Sequence, residues 1–97
     1  MSKVDQINEF AEELDEDLLF LGIEPRDFEE AIIGIVHRFG ANPIVSYDYD
    51  KVIKIFENQF KESGSEDPYQ DAIEWFDFNV IGAWMGDGTP CFVKVLL

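Results

Sequence analysis

The sequence predicts an α+β fold: about four helices packed on a small antiparallel sheet of about three strands. Apolar residues recur three and four apart in four separate stretches, the spacing of one helix face. Short β-branched and aromatic runs lie between and after these stretches, bounded by Gly, Pro and Asn. The third observation is the stretch Asp71 to Val95, which holds both tryptophans, Trp75 and Trp84, and reads as the element the rest covers. At 97 residues the chain makes one domain, which buries roughly two-thirds of its unfolded surface.

In chain order, residues 2–21 predict a first helix. Val4, Ile7, Ala11, Leu14, Leu18 and Leu21 form its stripe, Ser2 can cap it, and Glu9, Glu12, Glu13, Glu16 and Asp17 lie opposite. Gly22 stops it. A second helix is expected from Pro25 to Phe39, with Phe28, Ile32, Ile35, Val36 and Phe39 inward and Gly40 as its C-cap. Asn42-Pro43 marks a turn and Ile44–Tyr47 a strand. Asp48 then caps a third helix to about Glu62, on which Glu57 and Lys61 can pair.

After the loop at residues 63–66, Asp67-Pro68-Tyr69-Gln70 starts a fourth helix that runs to about Val80. Tyr69, Ala72, Ile73, Phe76 and Val80 form its inward face. Trp75 and Phe78 lie on a flank, so more than half its circumference is apolar. A hairpin is expected to follow, with strands at 83–85 and 91–95 joined by Gly86-Asp87-Gly88, and the Ile44–Tyr47 strand completes the sheet.

Charge excludes several functions. The 21 acids against 7 bases give a net charge of −14. Nucleic acid, which demands a cationic surface, is not expected as a partner, nor is an anionic membrane. No apolar run approaches the ~20 residues of a membrane helix. The acidic, amphipathic start is unlike a signal peptide, so a cytoplasmic location is expected. The first thirty residues hold 11 acids and 2 bases, which concentrates the acid at that end.

Candidate chemistries are few. Cys91 and His37 are the single cysteine and histidine, so no intrachain disulfide, Cys–His nucleophile or zinc site is expected. Cys91 lies in an apolar strand and reads as a buried, unreactive thiol. Asp48 and Asp50 lack the spacing of a calcium loop. Gly82, Gly86 and Gly88 lack the lysine of a phosphate loop. No catalytic residue, cofactor or metal is expected. Asn79, polar within an aromatic run, reads as a fastener of the helix end through backbone hydrogen bonds, or as a binding residue.

The strings Tyr47-Asp48-Tyr49-Asp50-Lys51-Val52-Ile53, Asp71-Ala72-Ile73-Glu74-Trp75-Phe76-Asp77-Phe78-Asn79 and Gly82-Ala83-Trp84-Met85-Gly86-Asp87-Gly88-Thr89-Pro90 follow one another in the second half. They are preceded by Glu30-Ala31-Ile32-Ile33-Gly34. Together they resemble a group of small tailed-phage proteins that share Y-D-x-x-K-x-I, E-A-x-E-[FW]-F-[ED]-F-N and G-A-W-x-G-x-x-T-P. The resemblance covers roughly residues 29–93 and implies a phage or prophage origin. It brings no activity and no catalytic residue with it.

The functional expectation is therefore an acidic accessory protein that binds a host protein with a basic surface and modulates it without catalysis. It would act as a DNA mimic or anti-defence inhibitor, in which spaced carboxylates stand in for phosphates. Glu9, Glu12, Glu13 and Glu16 are the acidic candidates. The alternative is a structural or assembly protein that forms a homodimer through the aromatic flank, Trp75 and Phe78. A small-molecule-binding or enzymatic domain is the third reading and ranks last, and the plain reading of the acid is solubility alone.

Overall fold

A computed structural model describes residues 2–81 and 86–96. Helix α1 spans Lys3–Leu14, with Ser2 Oγ accepting the Asp5 N–H at its start. It is shorter than the apolar stripe suggests. Asp15 takes the left-handed conformation at φ 55°, and the Asp15 and Glu16 N–H groups bond back to Glu12 O and Ala11 O, both at 3.1 Å. This is a Schellman stop made without glycine. The acids from Glu12 to Asp17 explain it: they would stack negative charge on the negative end of the helix dipole, and Asp tolerates the left-handed turn. Val4, Ile7 and Ala11 are buried from α1, whereas Leu21 reaches the core from the irregular segment that follows.

The expected second helix is corrected. A short 3₁₀ helix covers Pro25–Ala31, and the chain then becomes a strand, β1, over Ile32–Arg38. Ile32-Ile33-Gly34-Ile35-Val36 explains the switch, because β-branched side chains and a glycine disfavour helix and suit a pleated surface. Phe39 and Gly40 form a two-residue turn into β2, Ala41–Asp48, with Arg38 opposite Ala41. Gly40 is thus a hairpin residue at φ 71° rather than a helix cap. Asn42-Pro43 is not a turn but part of β2. It lies in a bulge between the Val36–Ile44 and Arg38–Ala41 pairs, where a missing N–H is tolerated.

Helix α2, Tyr49–Glu62, is capped by Asp48, whose Oδ1 accepts from Lys51 N. Helix α3, Pro68–Phe76, is capped by Asp67 with Pro68 in its first turn. Both caps are as expected. The expected Glu57–Lys61 pair is replaced by Lys54–Glu57 at 2.9 Å. Beyond Phe76 the helix widens into a π turn, Asp77–Ile81, which leaves Phe78 and Ile81 exposed.

Strand β3, Cys91–Val93, pairs with β2 in parallel, with Tyr47 opposite Phe92. The sheet order is β1-β2-β3, antiparallel on one side of β2 and parallel on the other. The α+β class and the number of strands stand, but β1 occupies a stretch expected to be helical, and the sheet is mixed rather than wholly antiparallel. A parallel pair needs a long crossover, and here α2 and α3 supply it. The turn at residues 86–88 forms, with Thr89 N bonded to Gly86 O. The expected strand at 83–85 lies outside the described residues. As the central strand, β2 buries Ile44, Val45, Ser46 and Tyr47 in succession, because both its faces are covered.

The core gathers Val4 and Ile7 from α1, Leu21, Phe28 from the 3₁₀ helix, and Val45 and Tyr47 from β2. Val52, Ile53 and Phe56 of α2 and Ala72 and Phe76 of α3 complete it. Gly22 connects this core to the surface. Its φ is 84°, and a Cβ there would lie 2.8 Å from the Phe28 ring, so the chain can pass over Phe28 only with glycine. Ile23, the next residue, is thereby held fully in solvent, at 105% relative exposure.

Candidate partner-binding surfaces

Two surfaces carry the residues singled out from the sequence. The first is the outer side of α1. Its inner stripe is fixed on the fold by three polar contacts. Arg26 pairs with Asp5 at 3.0 Å, Glu29 Oε1 accepts the Val4 N–H at 2.9 Å, and Lys3 donates to Ile32 O at 2.7 Å. The Asp5 carboxyl is held below its ordinary range by hydrogen bonds from Ser2 and Arg26. The Glu29 carboxyl is lowered by the Val4 N–H. With its inner face engaged, α1 turns Glu9, Glu12 and Glu13 to solvent. Glu16 is also exposed but lies beyond the helix, past the Asp15 turn. Glu12 and Glu16 meet across a shallow cleft of about 470 Å³ that Asp15, Asp17 and Asn8 also line. None of Glu9, Glu12, Glu13 or Glu16 forms an ion pair among the described residues.

The second surface is aromatic. Trp75 on α3 is 47% exposed and meets Phe60 of α2 edge to face at 6.2 Å. Phe78, on the π turn, is 80% exposed. Trp75 and Phe78 share a shallow hollow with Phe60, Asp71, Glu74 and Asn79. On its other side Trp75 forms a wall of a larger groove of about 690 Å³, floored by Phe28 and Phe56 and closed by Ile23 and Val80. The acidic cleft and the aromatic groove have no lining residue in common.

Asn79 is exposed, and its side chain forms no hydrogen bond among the described residues. The expected fastening to the hairpin is therefore replaced by a place on the groove wall. The sequence reading missed Ile23, Glu24 and Asp27 of that groove. An apolar residue directly after a glycine, outside any periodic stripe, was the available signal.

Cys91 is half-buried on β3 rather than fully enclosed. Burial pushes its thiol up, opposed by a hydrogen bond from its own backbone and, less, by the Arg38 charge. His37 is on β1, across the central strand, with its ring edge against Phe10 at 5.8 Å. At neutral pH the native thiol should react with a neutral alkylating reagent more slowly than the same thiol in denaturant, and faster as pH rises past the ordinary thiol range. Native labelling as fast as denatured labelling would show that β3 does not shield it.

Asp50 is paired with Lys94 at 2.6 Å, and among the described residues no three His, Cys, Asp or Glu side chains gather as metal ligands. No described helix is long and apolar enough to cross a membrane. Comparison with known proteins gives no match to a family model, a curated protein or a solved structure.

Proposed function

We propose that this chain is a non-catalytic accessory protein of a tailed phage that binds a basic surface on a host protein and modulates it, as a DNA mimic or anti-defence inhibitor. The observation that carries this reading is the outer side of α1. Glu9, Glu12, Glu13 and Glu16 stand in solvent without ion pairs, while the inner side of the same helix is fixed to the fold. Carboxylates held along a docked helix and just past its end present a patterned negative surface, which steers a cationic partner and speeds its association.

The test is a variant with Glu9, Glu12, Glu13 and Glu16 all changed to Gln. The fold should survive, because these positions lie off the buried Val4–Ala11 stripe and lose only mutual repulsion. A basic partner recovered from bacterial host lysate should bind the variant more weakly, mainly through slower association, and with a shallower salt dependence. Equal affinity and equal salt slope would leave the acid with solubility as its role.

A second reading has its own observation. Trp75 and Phe78 expose large apolar area side by side, and self-association through that flank would make the protein a structural or assembly component. A concentration-dependent dimer that dissolves on Phe78→Ser would favour this reading.

A further inference from the structure

We propose that the groove between the 3₁₀ helix, α2 and α3 is a docking site for a cationic amphipathic segment of a partner protein. This rests on the reading of the chain as a binder of basic partners, and it names where the specific contact is made.

The groove is built, not incidental. Gly22 crosses over Phe28 in a conformation that only glycine adopts cheaply, and so sets Ile23 on the rim. Trp75 is propped edge-on by Phe60 on the facing wall, a rigid aromatic with two torsions to lose on binding. Between them lies an apolar floor, Phe28 and Phe56. The hollow beyond Trp75 continues the path, since Phe60, Trp75 and Asn79 line both.

Charge identifies the occupant. The acids along this path are Glu24 and Asp27 on one side and Asp71 and Glu74 on the other, and among the described residues no Lys, Arg or His lines either hollow. An apolar trough with acidic banks complements an apolar ridge flanked by Lys or Arg, the arrangement on one side of a basic amphipathic helix. A second copy of this chain fits poorly, because each carries a net charge of −14. Glu24 and Asp27 would repel the acids that cover such a copy. An apolar ligand without charge would leave the acidic banks unused.

The probe is a labelled leucine–lysine peptide of about 14 residues, four helical turns, with leucines at helical spacing. A shuffled isomer of the same composition is the control. Fluorescence anisotropy at physiological salt should give at least a tenfold preference for the amphipathic isomer. Ile23→Ser and Trp75→Ala should each weaken it about tenfold, roughly 1.4 kcal/mol. Both positions are exposed, so the fold tolerates the changes. Glu24→Gln with Asp27→Gln should flatten the salt dependence. The Gln variant at positions 9, 12, 13 and 16 should keep the isomer preference.

Equal binding of the two isomers overturns the proposal, as does indifference to both Ile23→Ser and Trp75→Ala. If the α1 variant abolishes peptide binding while the groove variants do not, the groove site falls and the acidic-surface reading stands. A wild-type dimer that Ile23→Ser dissolves, and that excludes the peptide, assigns the groove to a second copy and also overturns the proposal.

Discussion

Phe76→Ala should lower stability by about 3–5 kcal/mol, the usual range for deleting a large buried aromatic. Phe76 is 1% exposed and is where three elements meet. Its ring stands edge-on to Tyr49 of α2 at 5.1 Å and to Phe92 of β3 at 4.9 Å. The truncation therefore opens a cavity between α3 and the sheet, and removes two ring contacts beyond the lost area. Domains hold only about 5–15 kcal/mol in total. The melting temperature should fall by roughly 15–30 °C for a chain of this size. Phe78→Ala is the internal control. It lies two residues on, within the π turn, and is 80% exposed, so it should change stability by no more than about 0.5 kcal/mol. Equal effects of the two substitutions would mean that the inward face of α3 is misassigned.

Tyr47→Phe should cost about 1–3 kcal/mol although it removes a single oxygen. The Tyr47 hydroxyl accepts the Leu21 N–H at 2.9 Å, and both groups are buried. The substitution leaves that N–H without a partner inside the core, where its desolvation is no longer offset. The ring itself, stacked on Phe92 at 5.8 Å, should stay in place. Denaturant titration should show a lower midpoint at an unchanged slope, and exchange of the Leu21 amide should accelerate.

The same group gives a pH signature. Burial raises the Tyr47 hydroxyl above its ordinary value, opposed only by its bond to Leu21. The unfolded tyrosine ionises near pH ~10 and the folded one only higher. Its contribution is therefore complete below ~10 and is lost as pH rises through the folded value. Tyr47→Phe should remove that part of the alkaline destabilisation. An identical alkaline limb in wild type and variant would show that the hydroxyl titrates as if exposed.

Local chemistry was legible wherever it acts within a few residues. Ser2, Asp48 and Asp67 cap the helices that the sequence assigned to them. The faces Val4–Ile7–Ala11, Val52–Ile53–Phe56 and Ala72–Phe76 are buried as their spacing requires. The acid on α1 and the flank of Trp75 and Phe78 were legible too, because an amphipathic pattern specifies its outer side as firmly as its inner one.

The failures share a cause. Phe28, Ile32, Ile35, Val36 and Phe39 fit a helical stripe, yet Ile32–Arg38 is a strand paired with β2 across two register shifts. A period cannot report a pairing partner that lies farther along the chain, and the sheet outweighs the small propensity of each residue. Leu18 and Leu21 fit the α1 stripe but reach the core from an irregular, bent segment, after the acids ended the helix at Leu14. The parallel register of β3 on β2 is set by how α2 and α3 pack between them, and no local signal encodes it. The groove is of this second kind. Ile23, Phe60 and Trp75 come from three separate stretches of chain, the loop before the 3₁₀ helix, α2 and α3. The sequence by itself determined the caps, the buried faces and the negative surface, which depend on neighbours in the chain. The tertiary structure alone decided which strand pairs with which and which exposed apolar residues face one another, because both depend on contacts closed over long stretches of chain.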